Sequence, residues 1–203
     1  MSLDAISIPP SSGKPAKKLL VALHGWGANL HDFVALAPMF NLPDYQFVFP
    51  NAPFAHPHVP GGRAWYALES GDYTGLEKSR FLLLHWLRSL EATTDIPLPQ
   101  TVLIGISQGG AMALDAGLQL PLAGVCSLSG YLHHPPQPQS TPFPPVLLVH
   151  GRQDMVVPLQ EAYKTKEQLL ESGVKVDYHE LDMGHEVISP ALNVIQHFIL
   201  INN

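Results

Sequence analysis

Positive charge is scarce in this sequence: eleven lysines and arginines stand against seventeen aspartates and glutamates, for a formal net charge of −6, and only 14% of residues are charged. With no basic stripe to meet a phosphate backbone, nucleic acid is not an expected partner. Cysteine is reduced to Cys126, which rules out an internal disulfide, and its place in the apolar run AGVCSLS points to packing rather than to a reactive thiol. Long hydrophobic runs are missing as well. Nothing approaches the roughly 18 apolar residues of a membrane span, and MSLDAISIPP at the start lacks the basic and apolar regions of an export signal. A cytoplasmic protein without a membrane segment is the expectation.

What the chain does have is apolar content, 46% over 203 residues, enough for one substantial core and a single domain over residues 1–203. Short runs rich in β-branched and large residues recur as buried strands: LLVALH from Leu19, YQFVFP from Tyr45, TVLIGI from Thr101, AGVCSLS from Ala123, PVLLVH from Pro145 and VKVDYHEL from Val174. Between them the period changes to that of a helix. Leu76, Leu83, Leu87 and Leu90 share a face, as do Leu159, Ala162, Tyr163, Leu169 and Leu170, and then Ala191, Val194, Ile195, Phe198 and Ile199. Near-continuous apolar strands alternating with helices imply a mostly parallel sheet covered on both faces, an α/β doubly wound architecture. Two proline-rich stretches, Ala52 to Gly62 and His133 to Pro145, read as loops rather than as elements. Because each follows a strand, they either rim a site at the carboxyl edge of the sheet or are plain surface connections.

One pattern carries chemistry. Gly105-Ile106-Ser107-Gln108-Gly109 matches G-x-S-x-G, which sets a serine on a sharp turn between strand and helix. Three fixed positions coincide by chance at roughly one site in 3,000, so about one chain in fifteen of this size would show the pattern by luck. Context separates this case from luck: TVLIGI before it reads as a strand and AMALDAGLQL after it as a helix.

A serine hydroxyl needs a base to take its proton, and the base needs an acid to hold its tautomer, expected here in the order serine, acid, histidine. Asp154 follows the strand PVLLVH directly, on a loop at its carboxyl end, and His185 lies in LDMGHEV between the last strand and the last helix. Asp115 falls on the helix after the serine, Asp177 and His179 fall within a strand, and Asp182 is placed to cap a loop. His85 and His197 fall on helices as ordinary side chains. The pairs His56/His58 and His133/His134 have no carboxylate or cysteine at ligand spacing, so neither a metal nor any other cofactor is expected. For the oxyanion, the backbone N–H of Gln108 is one donor. The second is expected from LLVALHGWGAN, where Gly25 and Gly27 let the N–H of Trp26 turn inward while His24 braces the loop; the other reading of Trp26 is a core aromatic at a strand end.

Taken in order, LHGWGAN, FPNAP, RAWY, GISQGGAM, SLSGYL, HGRQDMVVP and MGHEV resemble the carboxylesterase, lysophospholipase and acyl-protein thioesterase family of small α/β-hydrolases from about Leu19 to Phe198. The resemblance implies an α/β-hydrolase fold without a separate cap domain, with Ser107 as nucleophile, Asp154 as orienting acid, His185 as base, and Trp26 and Gln108 as backbone oxyanion donors. The family often has leucine at Trp26 and Trp-Phe-Asp at Trp65-Tyr66-Ala67, so the acyl pocket is expected to differ, with Trp26, Trp65 and Tyr131 at the substrate. The expected function is a metal-independent serine carboxylesterase acting on a small-molecule acyl ester or thioester. Two alternatives stand beside it: a thioesterase or lysophospholipase for longer acyl chains, and a catalytically silent hydrolase-fold binding protein.

Overall fold

A computed structural model describes residues 3–69, 71–137 and 142–202. The parallel part of the sheet forms where the sequence is most continuously apolar. It comprises β2 (Lys18–Leu23), β3 (Tyr45–Pro50), β6 (Thr101–Ile106), β7 (Gly124–Leu128), β8 (Val146–Gly151) and β9 (Val176–Leu181). Successive side chains of a strand point to opposite faces, so each run feeds two cores. Leu19, Val21 and Leu23 of β2 join Leu103, Val125 and Leu148 on one face. Leu20 and Ala22 join Phe47, Ile104, Cys126 and Val149 on the other. Cys126 is fully buried, and that burial pushes its thiol well above the usual range.

Helices cover both faces. Helix α2 (Leu76–Thr94), α3 (Gln108–Gly117) and α4 (Leu159–Glu171) bring Leu83, Leu87, Met112, Leu114 and Leu169 to the first core, while α1 (Leu30–Val34) and α5 (Ser189–Asn202) bring Phe33, Ala191, Ile195 and Phe198 to the second. Truncating a wholly buried leucine such as Leu83 or Leu87 would cost roughly 2–5 kcal/mol. Helix α4 differs from its expected face. Tyr163 and Leu170 are exposed, and the buried positions are Ala162, Thr165 and Leu169. At about 100° per residue, each outlier sits one residue beyond the buried stripe and turns off it.

Several short elements lie outside the apolar runs and helical periods of the sequence. Strand β1 (Ala5–Ile8) pairs antiparallel with β3 at the sheet edge, alternating exposed and half-buried residues. Helix α1 is only five residues long, started by Asn29 and Asp32, whose side chains accept from the N–H groups of His31 and Asn29. The stretch from Ala52 to Gly62, expected as loop alone, contains β4 (Phe54–Ala55), which pairs antiparallel with β5 (Arg63–Ala64) in a small hairpin. In the second proline-rich stretch, residues 138–141 lie outside the described residues.

The strand order is β1-β3-β2-β6-β7-β8-β9. From β2 the chain moves outward to β3, then crosses back to β6 and proceeds the other way. The parallel neighbours β2 and β6 therefore mark the switch point where the crossovers diverge, and ligands of open α/β sheets sit outside the carboxyl ends at such a point. Register brings the two ends level, with Leu23 opposite Gly105. No helix among the described residues is long and apolar enough to cross a membrane.

Candidate active site

Ser107 leaves β6 at φ 56° and ψ −122°, a conformation L residues rarely adopt, and α3 starts at the next residue. Its N–H donates to Leu128 O at 2.8 Å and its carbonyl accepts from Ala111 at 3.0 Å, so both sides of the turn are tied to the fold. The flanking glycines are required by proximity. A Cβ on Gly105 would lie 2.0 Å from Gly109 O, and one on Gly109 would lie 2.3 Å from Leu23 O and 2.5 Å from His24 O. The turn is thus pressed against the end of β2.

Asp154 and His185 reach the same edge from β8 and β9. Asp154 Oδ1 accepts from the N–H groups of Val156 and Val157 at 2.9 and 2.8 Å, and Oδ2 lies 2.7 Å from His185 Nδ1. The carboxylate is fully buried. Burial pushes its pKa up, but the hydrogen bonds from His185, Val157 and Val156 outweigh that and hold it below the usual range. An ionised Asp154 only accepts, so Nδ1 carries the proton and Nε2 is the basic nitrogen. The two loops are fastened together: Arg152 and Gln153 donate from their backbones to Leu181 O and Met183 O at 2.9 and 3.1 Å.

His150 was not singled out in the sequence. It is buried at the end of β8, donates from Nε2 to Val157 O at 2.8 Å, and lies 3.6 Å from Asp154 Oδ2. It braces the turn whose amides hold the carboxylate. A polar residue closing the apolar run PVLLVH is the signal that marks it. Just outside this turn Met155 and Val156 stand largely in solvent, an apolar rim beside the buried acid.

The loop after β2 supplies the other side. His24 is wholly buried; its Nε2 accepts from the Ala52 N–H at 3.0 Å, which leaves the proton on Nδ1 to donate to Gly25 O at 2.8 Å. Burial lowers its pKa, so the ring stays neutral and structural. Gly25 lies against Ser107, where a Cβ would sit 3.3 Å from the serine Cβ. The Trp26 N–H has no hydrogen-bond acceptor among the described residues. Gln108 is the first residue of α3, and its N–H is one of the four that a helix leaves unsatisfied, at the end where the helix dipole is positive.

Two expected substrate contacts take different places. Trp65 is wholly buried: its indole N–H donates to His24 O at 2.9 Å, and its backbone N–H donates to the Gln108 side chain at 2.9 Å. That corrects its expected position at the substrate, since a ring enclosed on all sides presents no surface. Tyr131 is half-buried and shares a 2.7 Å hydroxyl contact with Tyr66. Burial pushes the Tyr131 phenol up to about 12 and raises that of Tyr66 as well, so both remain protonated. Trp26 does line a cavity, of about 340 Å³, together with Phe54, Ala64, Tyr66, Leu68 and Thr74.

Three of the four histidines in the two pairs are engaged by protein groups, and His134 is exposed. His56 packs on Trp26 with ring centroids 4.4 Å apart, His58 pairs with Glu69 at 2.7 Å, and the His133 ring is enclosed by Tyr66, Tyr73 and Tyr131. Among the described residues, no group of three or more histidine, cysteine or acidic side chains is arranged to hold a metal. Asp115, expected on the helix after the serine, is there in α3 and takes a two-pronged contact from Arg80 at 2.6 and 2.8 Å.

Residues 6–203 match the phospholipase/carboxylesterase family. Similar curated proteins include acyl-protein thioesterase 1 of Schizosaccharomyces pombe, 31% identical over 178 residues that cover 77% of this chain and 76% of that protein. Esterase YpfH of Escherichia coli is 29% identical over 191 residues, covering 87% and 79%. Among solved structures, esterase PE8 covers all of both chains at a TM-score of 0.92 and 32% identity. SOBER1 of Arabidopsis thaliana, at a TM-score of 0.78 and 24% identity over 92% of this chain and 99% of that one, is a likeness of fold.

Proposed function

The chain belongs to the phospholipase/carboxylesterase family of α/β-hydrolases, and from that premise we propose that it cleaves carboxylic esters by attack of Ser107, with His185 as base and Asp154 as orienting acid. The enzyme is a serine hydrolase of small-molecule esters or thioesters. The observation that carries the residue roles is the buried Asp154 carboxylate, held by two amides and 2.7 Å from His185 Nδ1. It fixes the imidazole with Nε2 unprotonated.

The steps are set by that tautomer. Ser107 Oγ forms a bond to the acyl carbon as His185 Nε2 takes its proton, and the carbonyl π pair moves to oxygen. The backbone N–H groups of Trp26 and Gln108 receive that negative oxygen, each donor contributing about 3–4 kcal/mol to the transition state. Collapse expels the alcohol or thiol, which leaves with the proton from His185. Water then adds by the same sequence, releases the acid and returns the proton to Ser107.

The acyl group is assigned to the cavity beside Trp26. At about 340 Å³ it lies near the small end of ligand pockets, which run to roughly 1,000 Å³, and this favours short acyl groups. Turnover of short p-nitrophenyl esters by the parent, with loss of activity in Ser107→Ala, is the expected result; a Ser107→Ala enzyme as fast as the parent refutes the reading. A longer-chain thioesterase is the second reading, favoured by the exposed apolar pair Met155 and Val156 beside the triad acid. A series of acyl lengths in matched esters and thioesters separates the two. A silent binding protein would leave Ser107 unlabelled by a fluorophosphonate.

A further inference from the structure

The enclosed Trp65 needs an explanation other than substrate contact. Its three polar groups are all used inside the protein. The backbone N–H donates to Gln108 Oε1 at 2.9 Å, the indole N–H donates to His24 O at 2.9 Å, and the backbone carbonyl accepts from Ser79 Oγ. The contacts continue on both sides. Gln108 Nε2 donates to Tyr66 O at 2.8 Å, so the carboxamide grips the N–H of Trp65 and the carbonyl of the next residue, one on each side of the Trp65–Tyr66 peptide. His24 Nδ1 donates to Gly25 O at 2.8 Å, the carbonyl of the peptide that carries the Trp26 N–H.

Joined through the frameworks of Trp65 and His24 themselves, these hydrogen bonds form a path from Gln108 to the Gly25–Trp26 peptide. Its two ends are the residues whose backbone N–H groups receive the oxyanion. They come from different crossovers, one after β2 and one after β6, and Trp65 comes from a third segment, β5 and its extension. We propose that Trp65 is a positioning residue that sets the separation and orientation of the two oxyanion donors, its indole N–H holding one donor loop while its backbone N–H holds the side chain of the other donor. This role rests on the proposed functions of Ser107, Trp26 and Gln108.

Backbone bonds from Gly27 to Arg63 O and from Arg63 to Ala28 O, both 2.9 Å, also tie the Trp26 loop to β5, but the Trp65 indole makes the contact to His24 O, on the other side of the Gly25–Trp26 peptide. The ladder between β2 and β6 ends at Leu23 and Gly105, before either donor. Beyond it, the path through Trp65 spans from one loop to the other. Oxyanion stabilisation depends on donors held ready before charge develops, so an error in their spacing is felt in the transition state and not in substrate binding.

The test removes the indole N–H and keeps the ring. Trp65→Phe and, with volume better preserved, β-(3-benzothienyl)alanine installed at position 65 both lack the donor to His24 O. With a short p-nitrophenyl ester, kcat is expected to fall about 10- to 100-fold, as for a displacement of the order of an ångström in a catalytic group, while KM stays within about twofold. Affinity for a boronic acid that mimics the tetrahedral intermediate is expected to fall by the same factor as kcat. Both variants should melt as one cooperative transition and keep the parent's circular dichroism. Unchanged kcat in the folded benzothienyl variant overturns the proposal, as does a rise in KM without loss of kcat, which would make the ring a substrate contact after all. Ser107→Ala assayed in parallel keeps the two conclusions distinct. If it retains activity, the nucleophile assignment fails; if it is inactive while the benzothienyl variant is fully active, only the positioning role fails.

Discussion

Replacing Asp154 by asparagine exchanges one carboxylate oxygen for an NH₂ group, and the surrounding hydrogen bonds decide which one. Oδ1 receives two backbone N–H groups, from Val156 and Val157, at 2.9 and 2.8 Å. Only an acceptor fits there, so the oxygen of asparagine is committed to that end and its NH₂ is turned towards His185. Nδ1, 2.7 Å from the atom replaced, then faces a donor and presents its lone pair. The proton moves to Nε2, the nitrogen that must be bare to accept from Ser107. Flipping the amide would restore the working tautomer, but it would set an NH₂ against two amide donors. Each unmet buried donor costs about 1–3 kcal/mol, and two give about 2–6 kcal/mol, or a kcat loss of about 30- to 10⁴-fold. Removing the carboxylate that supports the imidazolium moves the expectation to the upper end of that range. Initial rates on p-nitrophenyl butyrate measure it, with melting curves to confirm folding and ¹⁵N spectra of the imidazole to report which nitrogen is protonated. A folded Asp154→Asn enzyme within tenfold of the parent kcat would refute this account of the tautomer.

Three further expectations rest on other parts of the structure. Gly109→Ala would place a methyl 2.3 Å from Leu23 O, with backbone on both sides, and is expected to destabilise by about 3 kcal/mol or more, read by urea unfolding. Arg80→Met strips Asp115 of a two-pronged partner and is expected to cost about 1–3 kcal/mol at pH 7, with the parent and the variant converging at acid pH. Asp154 and Asp115 are both held below the usual carboxylate range, each because hydrogen bonds outweigh the upward push of burial. Their stabilisation is therefore present above about pH 4 and lost as pH falls through the depressed folded values, and melting temperatures from pH 6 to pH 2 should show an acid limb that Asp154→Asn makes shallower.

The parallel strands were legible because they are buried on both faces. TVLIGI and PVLLVH need no context to be read as interior, and the change of period at Leu76 or Ala191 marks the helices that cover them. Strand β1 was not legible: AISI is four residues of an edge, half of them exposed, and it becomes a strand only by pairing with β3. The placement of Ser107, Asp154 and His185 at the carboxyl edge of the sheet was legible for a local reason, since each directly follows, or lies a few residues beyond, a recognisable strand. The inward turn of Trp65 was not. Its partners His24 and Gln108 are 41 and 43 residues away in the chain, and no local pattern tells an enclosed tryptophan from one on a pocket wall.

By itself the sequence determined the order of strand, turn and helix and where the candidate serine, acid and histidine fall along them, because these are local consequences of apolar period and of where glycine is needed. Only the tertiary structure decided how they meet. Reversal of the strand order between β2 and β6 brings the His24–Trp26 loop beside Ser107, two backbone amides commit each oxygen of Asp154 to a different partner, and Trp65 is drawn inward to join two loops. Those outcomes depend on contacts between segments far apart in the chain, whose energies exist only once the sheet has set the distances between them.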